Sequence, residues 1–288
     1  MKTITLSGGV EMPLVGYGVY LLTPDECYRC VSQAIATGYR SIDTAQAYYN
    51  EEAVGRAVAA SGVPRNELFI TTKVWISNAG DEAAARSIDE SLRKLGTDYV
   101  DLLLVHQPFG DYYGTYRAMQ RALGEGKARA IGLSNFYDAR FADLAENMEV
   151  KPAVVQLETH VFSQQRKMRA LAAEYGTHVM AWSPLARGMN GLFANETLTA
   201  IAARHGKNVA QVCLKFLTDE GISVIPQSKR PERMAGNLAL DDFELTDEER
   251  QTIRSLDTGR PLAADFNDPQ MARALLAYDR RFNPERQR

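Results

Sequence analysis

Four side chains in the first 106 residues have the types and spacing to deliver a proton to a carbonyl oxygen: Asp43, Tyr48, Lys73 and His106. Each stands at or just after the end of a strand-like run. Residues 39–42 stop on Asp43, with Tyr48 five residues on; residues 68–72 end in Lys73; residues 99–105 end in His106. A phenol titrates near pH ~10 unaided and is a poor acid at neutrality. An ammonium beside it favours the phenolate and lowers that value, while a carboxylate holds the ammonium charged and in place. A histidine can bond the carbonyl oxygen and turn it toward the phenol. The set would protonate that oxygen as hydride reaches its carbon, so the protein needs a hydride donor. One at a time these residues read as structure, an ion pair under a rim or a satisfied core histidine. Four polar groups on three adjacent strand ends read as a site.

Such convergence requires parallel neighbouring strands, and the sequence pattern supplies them. A hairpin pattern at residues 2–6 and 9–12, turning on Ser7-Gly8-Gly9, precedes a repeating strand-then-helix unit. Thr23-Pro24-Asp25-Glu26 spells a capping box with proline in the first turn. Cys27, Cys30, Val31, Ala34 and Ile35 follow at helical spacing, and Gly38 closes the helix. Strand-like runs begin at Leu14, Tyr39, Leu68, Tyr99, Ala128, Ala153, His178 and Ile222, with helical patterns between them, the clearest over 50–60, 81–95, 208–217 and 231–238. Eight units predict an α/β fold, a (β/α)8 TIM barrel with an N-terminal β-hairpin; an open doubly wound sheet is the alternative. A second capping box, Thr246-Asp247-Glu248-Glu249, predicts an extra C-terminal helix carrying Ile253 and Leu256. The tail beyond Gly259 gives no structural reading and shows no obvious long lid. No linker or composition shift divides the chain, so residues 1–288 are read as one domain.

Composition narrows the partners. A net charge of −3 gives no reason to expect nucleic acid or an anionic membrane, and no run is long enough to span a bilayer. The N-terminus lacks an apolar signal core, and three cysteines form no disulfide framework, which predicts a cytoplasmic protein. Cys27 and Cys30 are spaced C-x-x-C but share an apolar helix face, so they read as core. His106, His160, His178 and His205 are scattered and predict no metal site. No apolar face is left unaccounted, which predicts a monomer.

A dinucleotide fingerprint would need G-x-G-x-x-G, but Gly16-Tyr17-Gly18 is followed by Leu21. Barrels instead bind phosphate in the loops after strands seven and eight. The first of these loops carries Ser183, Leu185 and Arg187; the second carries Ser228, Lys229, Arg230 and Arg233, at a helix N-terminus that adds backbone donors. For Lys229 and Arg230, a solvated basic turn is an equal alternative.

The sequence resembles the aldo-keto reductase family from the N-terminal hairpin to about Leu245. The resemblance is carried, in order, by Asp43-Thr44-Ala45-Gln46-Ala47-Tyr48, Thr72-Lys73-Val74-Trp75, Leu104-Val105-His106-Gln107-Pro108, Ile131-Gly132-Leu133-Ser134-Asn135-Phe136, Gln156-Leu157-Glu158-Thr159-His160, Trp182-Ser183-Pro184-Leu185 and Ile225-Pro226-Gln227-Ser228. It implies a NADP-linked reductase of aldehydes and ketones with Tyr48 as general acid, Lys73 and Asp43 as its tuning pair and His106 orienting the substrate. It also implies that Ser134, Asn135 and Gln156 bond the nicotinamide carboxamide, that Trp182 stacks on its ring, and that Arg233 and Asn237 contact the adenosine end.

Departures from the family pattern shape the expectations. Gln227 stands where lysine is usual, which would weaken the preference for NADPH and opens NAD(H) as a second cofactor. Gly236 replaces a common acid, Tyr49 a common glycine and Gln107 a common tryptophan. Tyr20, Trp75 and Phe109, with Tyr112 and Tyr113, predict an aromatic rim for a small-molecule carbonyl substrate, although at least one of the last pair is expected merely to pack the next helix. Two other functions compete: a cofactor-binding regulatory subunit with little turnover, and a barrel isomerase or aldolase using Lys73 as a Schiff-base nucleophile.

Overall fold

The computed structural model describes residues 2–282. Strands β1 (Thr3–Thr5) and β2 (Glu11–Pro13) form the expected antiparallel hairpin. Eight parallel strands then run in chain order: β3 (Tyr17–Gly18), β4 (Ser41–Asp43), β5 (Phe69–Val74), β6 (Val100–Val105), β7 (Ala128–Ser134), β8 (Val154–Glu158), β9 (His178–Trp182) and β10 (Ser223–Val224). The first and last meet. Gly16 N–H donates to the Val224 carbonyl and Val224 N–H to that of Leu14, both at 2.8 Å, and Val15 bridges Val224 in parallel. This contact closes the barrel and excludes the open sheet. The closure is tight: a Cβ on Gly18 would stand 3.0 Å from the Ile225 carbonyl oxygen.

Helices cover the outside. Helix α1 (Pro24–Thr37) has both halves of its predicted capping box, and Gly38 ends it in the left-handed conformation. Next come α2 (Glu51–Ala60), α3 (Asp81–Leu95), α4 (Tyr112–Gly124), α5 (Asp138–Asn147) and α6 (Arg166–Glu174). Four more are α7 (Glu196–Arg204), α8 (Val209–Asp219), α9 (Pro231–Leu238) and α10 (Asp247–Arg254), the last from the Thr246 capping box. Helix α11 (Pro269–Phe282) completes the described chain. The sequence pattern marks a helix C-terminus at Ala203-Arg204-His205-Gly206, where α7 ends, but not its start, at which Asn195 accepts from Leu198 N–H at 3.0 Å, nor α11. Cys27 and Cys30 are buried in the core between helices and strands, and burial pushes the Cys27 thiol up to about 12.

Alternation along the strands fixes what faces the barrel axis. Leu103 and Val105 pack outward beneath the helices, whereas Phe69, Leu102, Leu104, Ala130, Val154 and Met180 point inward. Leu6, Val10 and Met12 of the hairpin join that inner cluster and plug the N-terminal mouth. Lys73 shares Phe69's parity, Ser134 shares Ala130's, and Gln156 and Glu158 share Val154's. At the C-terminal rim the inward positions change from apolar to polar.

Candidate active site

Asp43 ends β4 and Lys73 lies one residue from the end of β5, both buried inside the barrel. The Lys73 ammonium spends its three donors on the Asp43 carboxylate (2.5 Å), the Thr44 carbonyl (2.9 Å) and the Tyr48 hydroxyl (3.4 Å). The second Asp43 oxygen accepts from the Gln156 amide at 2.7 Å. Tyr48 sits in a short 3₁₀ turn, Gln46–Tyr48, that follows β4. Gln46 anchors this turn by donating to the Ser87 carbonyl and accepting from Trp75 N–H at 2.9 Å. Buried Asn50 braces the loop from the other side, accepting from Thr44 Oγ1 and donating to the Val19 and Leu22 carbonyls.

His106 follows β6 with its ring edge-on to Tyr48 (5.6 Å between centroids) and to Trp75 (5.0 Å). Burial, reinforced by the Lys73 charge, holds the imidazole well below its usual range, so it is neutral near pH 7. Its Nδ1 is buried with no hydrogen-bond partner among the described residues. The phenol departs from expectation. Burial raises the pKa of Tyr48 well above the ordinary value, Asp43 and Tyr20 reinforce this, and Arg187 opposes it. The Lys73 ammonium is matched by Asp43 at shorter range (2.5 against 3.4 Å), so its pull toward the phenolate does not outweigh burial. Burial also lowers the lysine's own pKa against the pull of that carboxylate.

The residues expected to hold a cofactor line the rest of the rim. Ser134 ends β7, and Asn135, which follows it, takes a left-handed φ of 65°. Its amide donates to the His106 carbonyl (3.1 Å), Gln107 Oε1 (3.2 Å) and Ser134 Oγ (3.2 Å), while its oxygen accepts from the Trp182 indole at 2.8 Å. Asn135 thus links the ends of β6, β7 and β9. Gln107 acts as an acceptor in this network.

After β9 the backbone turns through left-handed residues at Ser183, Ala186 and Arg187. Leu185 is half-buried there. Arg187 bonds Ser183 Oγ at 3.2 Å, and its guanidinium lies over the rings of Trp182 (5.6 Å) and Tyr20 (5.8 Å). After β10, Gln227 donates to the Tyr20 carbonyl at 2.7 Å. Ser228 Oγ accepts from Arg230 N–H. Lys229 is drawn onto Glu26 of α1 at 2.6 Å, and Arg233 is exposed in the first turn of α9. Helix α9 begins without a side-chain cap, and Asn237 is buried near its end.

Tyr20 stands at the mouth, 45% exposed, with its ring 5.0 Å from that of Tyr48. Trp75 and Phe109 are buried, and the residue that buries them comes from the tail. Phe266 joins Trp75, Ile76 and Phe109 in a cluster against which Tyr137, Trp182, Met271, Leu275 and Leu276 pack. The sequence shows no obvious long lid; in the fold, Ala264, Phe266 and the first turns of α11 pack over these rings. Nothing in their pattern marks Phe266 as a site residue, since only the folded chain brings it to Trp75. Tyr112 and Tyr113 both pack α4 onto its surroundings, with Tyr112 on Phe136 and the Tyr113 hydroxyl on Asp143. His205 serves as a surface tie to Glu249 at 2.9 Å. Among the described residues no helix is long and apolar enough to cross a membrane, and no cluster of His, Cys, Asp or Glu could hold a metal.

Fold and rim together define a (β/α)8-barrel enzyme. The model of the aldo/keto reductase family matches residues 16–258. The glyoxal reductase of Bacillus subtilis is 43% identical over 256 residues, 88% of this chain and 92% of that protein. An aldo-keto reductase from a deep-sea metagenome library superposes with a TM-score of 0.90 at 38% identity, covering 92% of this chain and 98% of its own. A variant of Gox0644, solved with NADPH, superposes at 0.87 with 34% identity over 92% of this chain and 97% of its own. The chain belongs to the aldo/keto reductase family and is an oxidoreductase.

Proposed function

We propose that this enzyme reduces aldehydes and ketones to alcohols with NADPH, Tyr48 being the proton donor. The observation that carries the reading is the Lys73 ammonium joining the Asp43 carboxylate to the Tyr48 hydroxyl inside the barrel. The chain's residues fit the cofactor. The uncapped N-terminus of α9, with Ser228, Arg230 and Arg233 around it, suits an anionic group, and Ser134, Asn135 and Gln156 offer amide and hydroxyl partners for a carboxamide beside the face of Trp182. When bound, NADPH supplies the hydride.

Neutral His106 would bond the carbonyl oxygen without adding a charge, which orients it toward the phenol. As hydride arrives the oxygen becomes an alkoxide, a stronger base than an ordinary phenolate. The proton therefore moves from Tyr48 to that oxygen, and Lys73 stabilises the phenolate left behind. Asp43 keeps the ammonium charged and aimed. Trp75, Phe109, Tyr20 and Phe266 give the chamber flat apolar walls suited to small carbonyl compounds. Gln227 carries no charge for the 2′-phosphate, so NADH serves as a second, weaker donor.

The test is oxidation of NADPH, and separately NADH, with a panel of aldehydes and ketones. In Tyr48→Phe, kcat should fall by a factor of about 10²–10⁴ with cofactor affinity unchanged. Tight NADPH binding with no carbonyl-dependent oxidation in the wild type would overturn the reading in favour of a cofactor-binding regulatory protein.

A further inference from the structure

The run Gln156-Leu157-Glu158-Thr159-His160 gives Gln156 to the rim but leaves two buried ionisable groups, Glu158 and His160, without a part in the chemistry. Glu158 ends β8 on the same inward parity as Gln156. Its Oε1 accepts from Leu262 N–H (2.7 Å) and Ala263 N–H (2.9 Å) and lies 3.1 Å from His160 Nε2. Its Oε2 accepts from Ala264 N–H at 3.2 Å. His160 Nδ1 accepts from Phe162 N–H, which leaves Nε2 to donate to the carboxylate. Burial alone would raise the Glu158 pKa, but His160 and the amides of Ala263 and Leu262 outweigh it and hold the carboxyl below the usual range.

Three successive backbone amides turned onto one buried carboxylate are a fastening. The segment they belong to leaves the barrel at Thr258, pinned to the Phe162 carbonyl through both its N–H (2.9 Å) and its hydroxyl (2.8 Å). Two residues past Ala264, Phe266 is buried against Trp75, Phe109 and Trp182, and Arg140 bonds its carbonyl at 2.9 Å. Met271, Leu275 and Leu276 of α11 continue the same wall.

We infer that Glu158 is a positioning residue for substrate selection: its carboxylate clasps the backbone of residues 262–264 and so seats Phe266 and α11 as the outer wall of the substrate chamber. This rests on the carbonyl-reductase reading of the rim. A clasped wall gives bulky flat carbonyls a surface to bind, while small aliphatic aldehydes make little use of it. Glu158 therefore acts on specificity through Phe266, without touching the reacting atoms.

Glu158→Gln keeps the shape of the side chain and removes the charge that gathers the amides. Amide hydrogen exchange at residues 262–264 in the full chain should accelerate about tenfold or more. In Glu158→Gln and in Phe266→Ala, kcat/KM for an aryl ketone should fall about fivefold or more, and for a small aliphatic aldehyde by less than about twofold. Because one residue acts through the other, the double variant should be no worse than the worse single. Unchanged exchange at 262–264, equal losses on both substrates, or additive losses in the double variant would each overturn the proposal. Should Glu158→Gln fail to fold, Phe266→Ala and Ala263→Pro, which deletes one clasping N–H from the tail side, carry the same test. If the wild type turns over no carbonyl compound, the reductase reading and this inference's specificity claim fall together, while the exchange experiment still shows whether the clasp exists.

Discussion

The sharpest consequence of the site's geometry concerns Lys73→Met. In the wild type the ammonium is fully buried and balances Asp43 at 2.5 Å, and it also satisfies the Thr44 carbonyl. Removing it leaves a buried carboxylate with only the Gln156 amide as a donor. Breaking a buried pair on one side costs about 3–5 kcal/mol, because the remaining charge is uncompensated. Neutralising that charge should then help. Asp43→Asn is expected to destabilise the wild type yet to restore about 1–2 kcal/mol to Lys73→Met, a reversal of sign that packing effects alone do not produce. Urea unfolding followed by tryptophan fluorescence suits the test, since the only two tryptophans, Trp75 and Trp182, both line the site. Comparable m-values across the four proteins are required before the free energies are compared. A loss below about 1 kcal/mol for Lys73→Met, or a further loss on adding Asp43→Asn, would refute the argument that this pair is electrostatically coupled and dry.

Three other expectations follow from separate parts of the molecule. Gln227→Lys should raise the ratio of kcat/KM for NADPH over NADH about tenfold, the effect of one added charge-assisted contact, as read from initial rates with both cofactors. Gly132→Ala places a methyl group on the Val154 carbonyl oxygen between β7 and β8, and should cost about 3 kcal/mol or more in urea unfolding. His178 is held down to about 4 by burial, so the unfolded chain binds its proton first as the pH falls below ~6.5. Its stabilising contribution is full above ~6.5 and is lost as the pH falls through about 4, amounting to about 2 kcal/mol between pH 7 and 5. Neutral His106 adds to the same slope. Urea midpoints at the two pH values should show a loss that His178→Gln reduces.

The barrel and its polar rim were legible because both are local. Eight strand-to-helix transitions are written in hydrophobic period and capping boxes, and Asp43, Lys73 and His106 each announce themselves by ending a run. What escaped the sequence depends on contacts made across the fold. Phe266 meets Trp75 only in the folded chain, where Glu158 and Arg140 bind the segment around it. The direction of the Tyr48 shift likewise required distances, since a lysine shared with a nearer carboxylate cannot lower a phenol's pKa as an unshared one would. The partner of Lys229, Glu26 of α1, also lies some two hundred residues away in the chain. The first strand moved from the expected 14–17 to Tyr17–Gly18 because residues 14–16 take their partners from the last strand at the closing seam.

That seam has a bearing on how the protein comes into being. Chain order is spatial order around the barrel, so during synthesis every strand after the first finds a neighbour already made as it emerges. The first strand waits with an unpaired edge for residue 224, some two hundred positions later. Loop closure over that length is slow, and an open parallel edge is a template for another chain. Fragments ending before β10 should therefore collect as aggregates, while a separately supplied segment spanning β10 and α9 would provide the missing partner strand. A strand of only two residues thus covers the edge that the other seven leave open.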